Sequence, residues 1–257
     1  MGSGQEITGR GTTRGLSYTH YFHPAGAYRS TLAVGLDDKL FRAPVVGGIV
    51  LPTGDVRSRP ASLEYAGRYD NDAFSLNGAI SYARNIAGGR NNDTASYAAN
   101  RFGADEQWEV MRTQMTMIMR LKGGWMVNAT ARGQFTREPL IAGEQFGVGG
   151  VASVRGFDER SVTGDRGLSL SFELWTPELA KDLRLLAFLD SARISRIQAV
   201  AGTGTSESIM SVGVGLRYGL SRTGSFSLDY GVVTQGSSLP LVNRGASVLH
   251  GSLLLQF

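Results

Sequence analysis

The chain has 257 residues, of which 35 are glycine, 7 proline and none cysteine, and a formal net charge of +4. The lack of cysteine excludes a disulfide framework, thiolate metal sites and a cysteine nucleophile, while cations spread singly rather than in runs point away from a nucleic-acid face. No apolar run approaches the roughly 18 residues of a membrane helix, and no signal-peptide pattern opens the chain. Met1-Gly2-Ser3-Gly4 reads as an appended start, which leaves residues 5–257 as one domain.

From Leu16 onward the pattern has period two, the spacing of a strand whose successive side chains point to opposite faces. Leu16, Tyr18 and Phe22 share a face, His23-Pro24-Ala25-Gly26 turns the chain, and Leu32, Val34 and Leu36 follow on a strand ending near Phe41. Residues 42–59 read as a long loop. Ala61, Leu63, Tyr65 and Tyr69 then alternate with Ser62, Glu64 and Arg68; Asp70-Asn71-Asp72 turns into a strand carrying Phe74, Leu76, Ile80 and Tyr82. Residues 86–107 form a second long loop. A hairpin follows, with Met111, Met115, Met117 and Met119 on one face, a Lys122-Gly123-Gly124 turn, and Trp125, Val127 and Ala129 on the return.

After a glycine-rich interruption the alternation resumes in Leu168, Leu170, Phe172 and Leu174 against Ser169, Ser171 and Glu173, then in Leu185, Ala187 and Leu189 against Leu186, Phe188 and Asp190. Its clearest form is Met210, Val212, Val214, Leu216 and Tyr218 against Ser211, Gly213, Gly215 and Arg217. Phe226, Leu228, Tyr230 and Val232 repeat it, and Leu249, Leu253, Leu255 and Phe257 end the chain.

Two features favour a membrane barrel over a soluble β-sandwich. The polar faces carry ionisable groups in mid-strand, among them Glu64, Arg112, Glu173, Asp190, Arg217 and Asp229, which a dry core rejects. The connections alternate long and short, as when tight turns occupy one end of a barrel and extended loops the other. The expected fold is therefore all-β, a transmembrane antiparallel β-barrel of about 11–12 strands. Eleven strands are clear, so either residues 5–14 supply part of a twelfth or the barrel closes through a parallel pair.

The interruption at residues 143–167 reads GEQFGVGGVASVRGFDERSVTGDRG. Its GEQF, GG, SVRGF, ER and GDRG segments resemble the signature loop of TpsB-type two-partner-secretion transporters, the haemolysin secretion/activation (ShlB/FhaC/HecB) family. The resemblance implies an outer-membrane protein of a Gram-negative bacterium that passes an unfolded partner polypeptide to the cell surface, with no reaction catalysed and no cofactor. It also implies that Arg155, with Gly156 and Phe157, lies on a loop folded into the lumen, where Arg155 pairs with acids on the two following strands. The matching positions are Glu173 and Asp190. The family barrel has sixteen strands preceded by POTRA domains that recognise the client; this chain corresponds to the later part of that barrel, shortened and without POTRA domains. Its expected partners are outer-membrane lipid, the secreted polypeptide and, during biogenesis, the barrel-assembly machinery, whose recognition signal the ending Leu253, Leu255 and Phe257 resembles.

Other readings carry less. Glu173 and Asp190 could form a glycosidase pair, but nothing else in the sequence supports one. Gly147-Val148-Gly149-Gly150-Val151-Ala152 fits the dinucleotide pattern outside any βαβ unit. His20, His23 and His250 are too scattered for a metal site. A barrel-assembly factor of the same superfamily and a passive or purely structural pore are the alternative functions.

Overall fold

The computed structural model describes residues 7–8, 11–43, 45–46, 49–50, 53–198, 204–221, 224–238 and 241–255. Eleven long strands follow one another through a single antiparallel sheet. They are β1 (Gly11–Tyr21), β2 (Tyr28–Phe41), β3 (Pro60–Asp70), β4 (Phe74–Asn85), β5 (Glu109–Arg120), β6 (Met126–Phe135), β7 (Arg166–Trp175), β8 (Leu183–Ser195), β9 (Ser206–Ser221), β10 (Gly224–Gln235) and β11 (Ser247–Leu255). Short turns join β1 to β2, β3 to β4, β5 to β6, β7 to β8 and β9 to β10. The intervening connections are longer and all leave the opposite end.

Register carries the sequence alternation across the whole sheet. Asn128 on β6 lies opposite Glu173, Glu173 opposite Phe188, Phe188 opposite Gly213, and Gly213 opposite Gly231. A slip of one residue in any pair would turn an entire polar row outward. On the outer face Leu63, Ile80, Met115, Leu170, Val214 and Leu253 are exposed, forming an apolar surface suited to lipid. The methionine stripe lies on that face.

The sheet is open: among the described residues β1 and β11 are not paired with each other. Among the described residues of 5–14, none supplies part of a twelfth long strand. Thr12 and Arg14 already belong to β1, opposite Leu40 and Asp38, whereas Ile7–Thr8 pairs with Val45–Val46. The start of β1 was hidden because its residues are polar on both faces, and backbone pairing continues where alternation stops. With eleven successive antiparallel strands, β1 and β11 run in the same direction. A direct seam would be parallel, and an antiparallel one takes an odd number of intervening strands.

Burial is concentrated where loops fold onto the inner face. Phe146, Val148, Val154, Phe157 and Val162 pack against Ala192, Ile194, Ile209 and Val233 of β8–β10. Full burial of such a large side chain contributes about 1.5–3 kcal/mol. A second cluster joins Tyr97, Trp108, Leu140 and Ile141 to Val56, Ala83 and Val110. Tyr97 comes from α1 (Thr94–Asn100), a short helix inside the stretch read from sequence as a loop; the Asp93 carboxylate caps it by accepting from the Ser96 N–H at 2.9 Å.

Candidate functional site

The residue types of the signature loop determine how its tip is built. Phe146–Val148 and Val162–Gly164 pair as a small hairpin. Beyond it the Ser153 hydroxyl donates to the Gly149 carbonyl and accepts from the Gly149 N–H, and the Gly150 N–H donates to the Phe157 carbonyl at 3.0 Å. Gly156 has φ of 95°, a conformation that glycine adopts without Cβ strain. Val154 and Phe157 on either side of the Arg155-Gly156 pair are buried in the first cluster, which fixes Arg155 between them against the strand wall.

Arg155 is 3% exposed. Its Nε and Nη2 donate to the two Asp190 carboxylate oxygens at 2.8 and 2.9 Å, and its backbone N–H donates to Asp190 Oδ2 at 3.0 Å. Nη1 donates to Glu173 Oε1 at 2.6 Å, and Nη2 also reaches Ser171 Oγ at 3.2 Å. The planar fork is thus divided between acids on β7 and β8, an arrangement that an ammonium cannot reproduce. Burial works against the charged guanidinium, but hydrogen bonding and attraction by Asp190, followed by Glu173, hold the Arg155 pKa above its ordinary value.

The structure therefore brings Arg155, Glu173 and Asp190 together, with Gly156 and Phe157 seated beside them. Sequence reading missed the support around this group. Asp229 on β10 lies 3.8 Å from Arg155 Nη1 and receives a two-bond pair from Arg217 at 2.8 and 2.9 Å. Glu173 Oε2 accepts from Asn128 at 3.1 Å and from the Trp175 indole at 2.8 Å. The Phe188 ring lies beneath the guanidinium, 3.5 Å from centroid to Cζ, and Gly213 makes room for it: a Cβ there would stand 2.3 Å from the ring. Asp229 was already visible as a mid-strand acid of the inner face, but only the register of β9 and β10 identifies its partner.

The GEQF segment has its own anchor. Glu144, buried, accepts from Lys39 on β2 at 3.2 Å, from Ser58 at 2.9 Å and from Arg112 on β5 at 3.0 Å. The Gln134 amide donates to the carbonyls of both Glu144 and Asp165, gathering the two limbs of the loop. The loop so held packs its apolar residues on the inner face of β8–β10 and leaves space along that of β1–β5, which it reaches through Glu144. There a cavity of about 640 Å³, lined by Arg29, Arg68 and Thr116, adjoins one of about 370 Å³ that reaches Arg112, Arg132 and Glu144; both include Glu64, Ala79 and Gln114. Leu253 and Leu255 lie exposed on the outer face of β11, and Phe257 is outside the described residues. Among the described residues no cluster of three or more His, Asp or Glu could hold a metal.

A strand wall apolar outside and charged inside, with a long loop folded onto its inner face, is the wall of an outer-membrane β-barrel. The family model described as haemolysin secretion/activation protein ShlB/FhaC/HecB matches residues 4–218, and the chain belongs to that family. Among solved structures it is similar to CdiB from Escherichia coli, with a TM-score of 0.77, 16% identity and 97% of this chain covered. CdiB from Acinetobacter baumannii gives 0.75 at 16% identity, again over 97% of the chain. BamA from Haemophilus ducreyi lacking POTRA domains 1–3 gives 0.66 at 15% identity over 95%. The chain spans 46%, 42% and 55% of those three chains, respectively. No curated protein matches it.

Proposed function

We propose that the chain is part of the wall of an outer-membrane translocator that passes an unfolded partner polypeptide to the cell surface, and that Arg155, Gly156 and Phe157 form a loop lock anchored by Glu173 and Asp190. The observation that carries this reading is the buried Arg155 guanidinium divided between acids on two adjacent strands. A loop held this way rests in one place until its charges find other partners, which suits a regulated passage better than a fixed plug. The open cavities along β1–β5, which offer charged, amide and hydroxyl groups beside apolar ones such as Phe22 and Ala66, suit an extended chain that carries both side-chain types and needs backbone hydrogen-bonding partners in transit. Leu253, Leu255 and Phe257 serve as the signal for the barrel-assembly machinery. No nucleotide and no bond-making step are required.

The test is secretion. The full native chain is expressed with a candidate secreted partner polypeptide, and that polypeptide is measured in the medium. Arg155→Ala is expected to reduce its appearance while leaving the transporter inserted. Undiminished secretion by Arg155→Ala would remove the lock from the mechanism; insertion of other barrels in place of secretion would favour an assembly factor, and neither activity a passive pore.

A further inference from the structure

The far limb of the signature loop carries a second buried acid that the lock does not use. Asp165, 0% exposed, sits just before β7 in the GDRG segment. Its carboxylate takes a two-pronged ion pair from Arg101, at the end of α1, with Nη2 to Oδ2 at 2.7 Å. It also accepts the Leu140 N–H at 2.8 Å and the Ile197 N–H at 2.6 Å. Arg101 in turn donates to the carbonyls of Leu140 and Ile197, at 2.5 and 3.0 Å. Two backbone segments thus each donate to the acid and accept from the base, so that a single ion pair gathers three long connections: β4 to β5, β6 to β7 and β8 to β9.

The apolar packing joins two of the same parts. Tyr97 and Ala104, in the β4–β5 connection, share the second buried cluster with Leu140 and Ile141, in the segment leading into the signature loop. This cluster includes Ala83 and Val110, inward-facing residues near the long-loop ends of β4 and β5, so α1 and its flanks form a cap over that end of the inner face. Buried networks with every member satisfied behave as units, because breaking one bond leaves another group unpaired in a low-dielectric site.

We propose that Arg101 and Asp165 form an outer latch that couples the α1 cap to the Arg155 lock, so that opening the long-loop end and releasing the loop tip are one event. The proposal deepens the transport reading and rests on it for its purpose, but its physical content is the coupling itself. Asp165 and Arg155 lie on one loop, ten positions apart, and the Gln134 amide bonded to the Asp165 carbonyl anchors the limb between them at its Asp165 end. A loop pinned at both points has two arrangements, docked or released, and whatever frees one end biases the other by the same factor.

Because these 257 residues hold no cysteine, single introduced thiols report local opening without background from them, and any cysteine elsewhere in the full chain is first replaced by serine. Ala104→Cys places one in the cap and Val154→Cys one in the tip, both at buried positions. Each is placed in the full native chain, inserted in lipid, and the rate of reaction with a small water-soluble maleimide is measured alone and with Arg101→Ala or Arg155→Ala. Folding is checked in every case by heat-modifiable migration. Each charge variant is expected to raise labelling at both sites, by roughly tenfold or more if a buried pair is broken. Arg101→Lys, the gentler variant, is expected to raise both less. If Arg101→Ala exposes the cap thiol and leaves the tip protected, while Arg155→Ala does the reverse, the coupling is absent and the latch is a local contact. If both thiols respond to both variants but secretion is unaffected, the coupling stands and the lock has no part in transport.

Discussion

Gly231 on β10 and Gly156 at the loop tip meet backbone to backbone, so closely that a Cβ on Gly231 would lie 2.7 Å from the Gly156 nitrogen and 2.8 Å from the Arg155 carbonyl carbon. Neither contact can be relieved by a side-chain rotation. Gly231→Ala is therefore expected to push the tip off the wall while the strands stay formed, at a cost of about 1–3 kcal/mol, the range for an overfilled site. Faster hydrogen exchange at Gly156 and Phe157 would register the displacement. Exchange unchanged from the parent would show that the wall gives way instead.

The stack of Gly213, Phe188 and Arg155 makes a separate prediction. Phe188→Leu keeps an apolar contact but removes the aromatic face under the guanidinium, and should weaken docking by about 0.5–2 kcal/mol. Gly213→Ala should act on the same loop through the ring, because a Cβ would collide with both Phe188 and the Tyr230 carbonyl oxygen. Thiol reactivity of Val154→Cys should rise with either substitution. A rise with Gly213→Ala alone would place the support in the strand spacing and not in the ring.

Facing is tested by charge. Val214 is 60% exposed on the outer face of β9, and Val214→Arg is expected to block insertion, since a cation near the bilayer midplane costs roughly 2–4 kcal/mol. Neighbouring Gly215 is no fair control, because a Cβ there would lie 2.1 Å from Asp229 Oδ1. Thr116, on the open inner face of β5, is the better comparison, and Thr116→Arg should insert normally. Equal loss of insertion at both positions would contradict the assignment of faces.

Much of this architecture can be read from period two alone. The alternation of Met210 to Tyr218 places Val214 outward and Gly213 inward, and the same rule puts Glu173 and Asp190 on one face before any coordinate is known. Their convergence on Arg155 is implied by the VRGF resemblance, with the inner face leaving the acids no solvent-free alternative. Asp229 obeyed the same alternation, but its pairing with Arg217 depends on cross-strand register, which a single sequence does not carry. Arg101 and Asp165 lie 64 positions apart in segments with no periodicity, so nothing local relates them. α1 is only seven residues long in a polar stretch, and its one signal, Asp93 ahead of Ser96, is common in turns. The first residues of β1 were lost for the opposite reason, since a strand that outruns its apolar band keeps its hydrogen bonds and loses its pattern.

The edges make a further prediction. Strands β8 and β9 are bonded on both sides, whereas among the described residues β1 and β11 each present one unpaired side. In micelles of the 257-residue chain, alternate amides of β1 and β11 should exchange rapidly while those at the centres of β8 and β9 persist. Uniform protection across β1 and β11 would mean that another strand covers them.

In the proposed lock, Arg155 holds the signature loop against Glu173 and Asp190. Its most direct test is planar-bilayer conductance of the full native chain carrying Arg155→Ala, compared with Arg155→Lys and the parent. Removing one member of a buried ion pair costs about 3–5 kcal/mol, less where water reaches the site. A larger and noisier conductance is expected for Arg155→Ala with insertion intact, and an intermediate trace for Arg155→Lys, whose ammonium cannot span both acids. Traces for Arg155→Ala indistinguishable from the parent would contradict the lock.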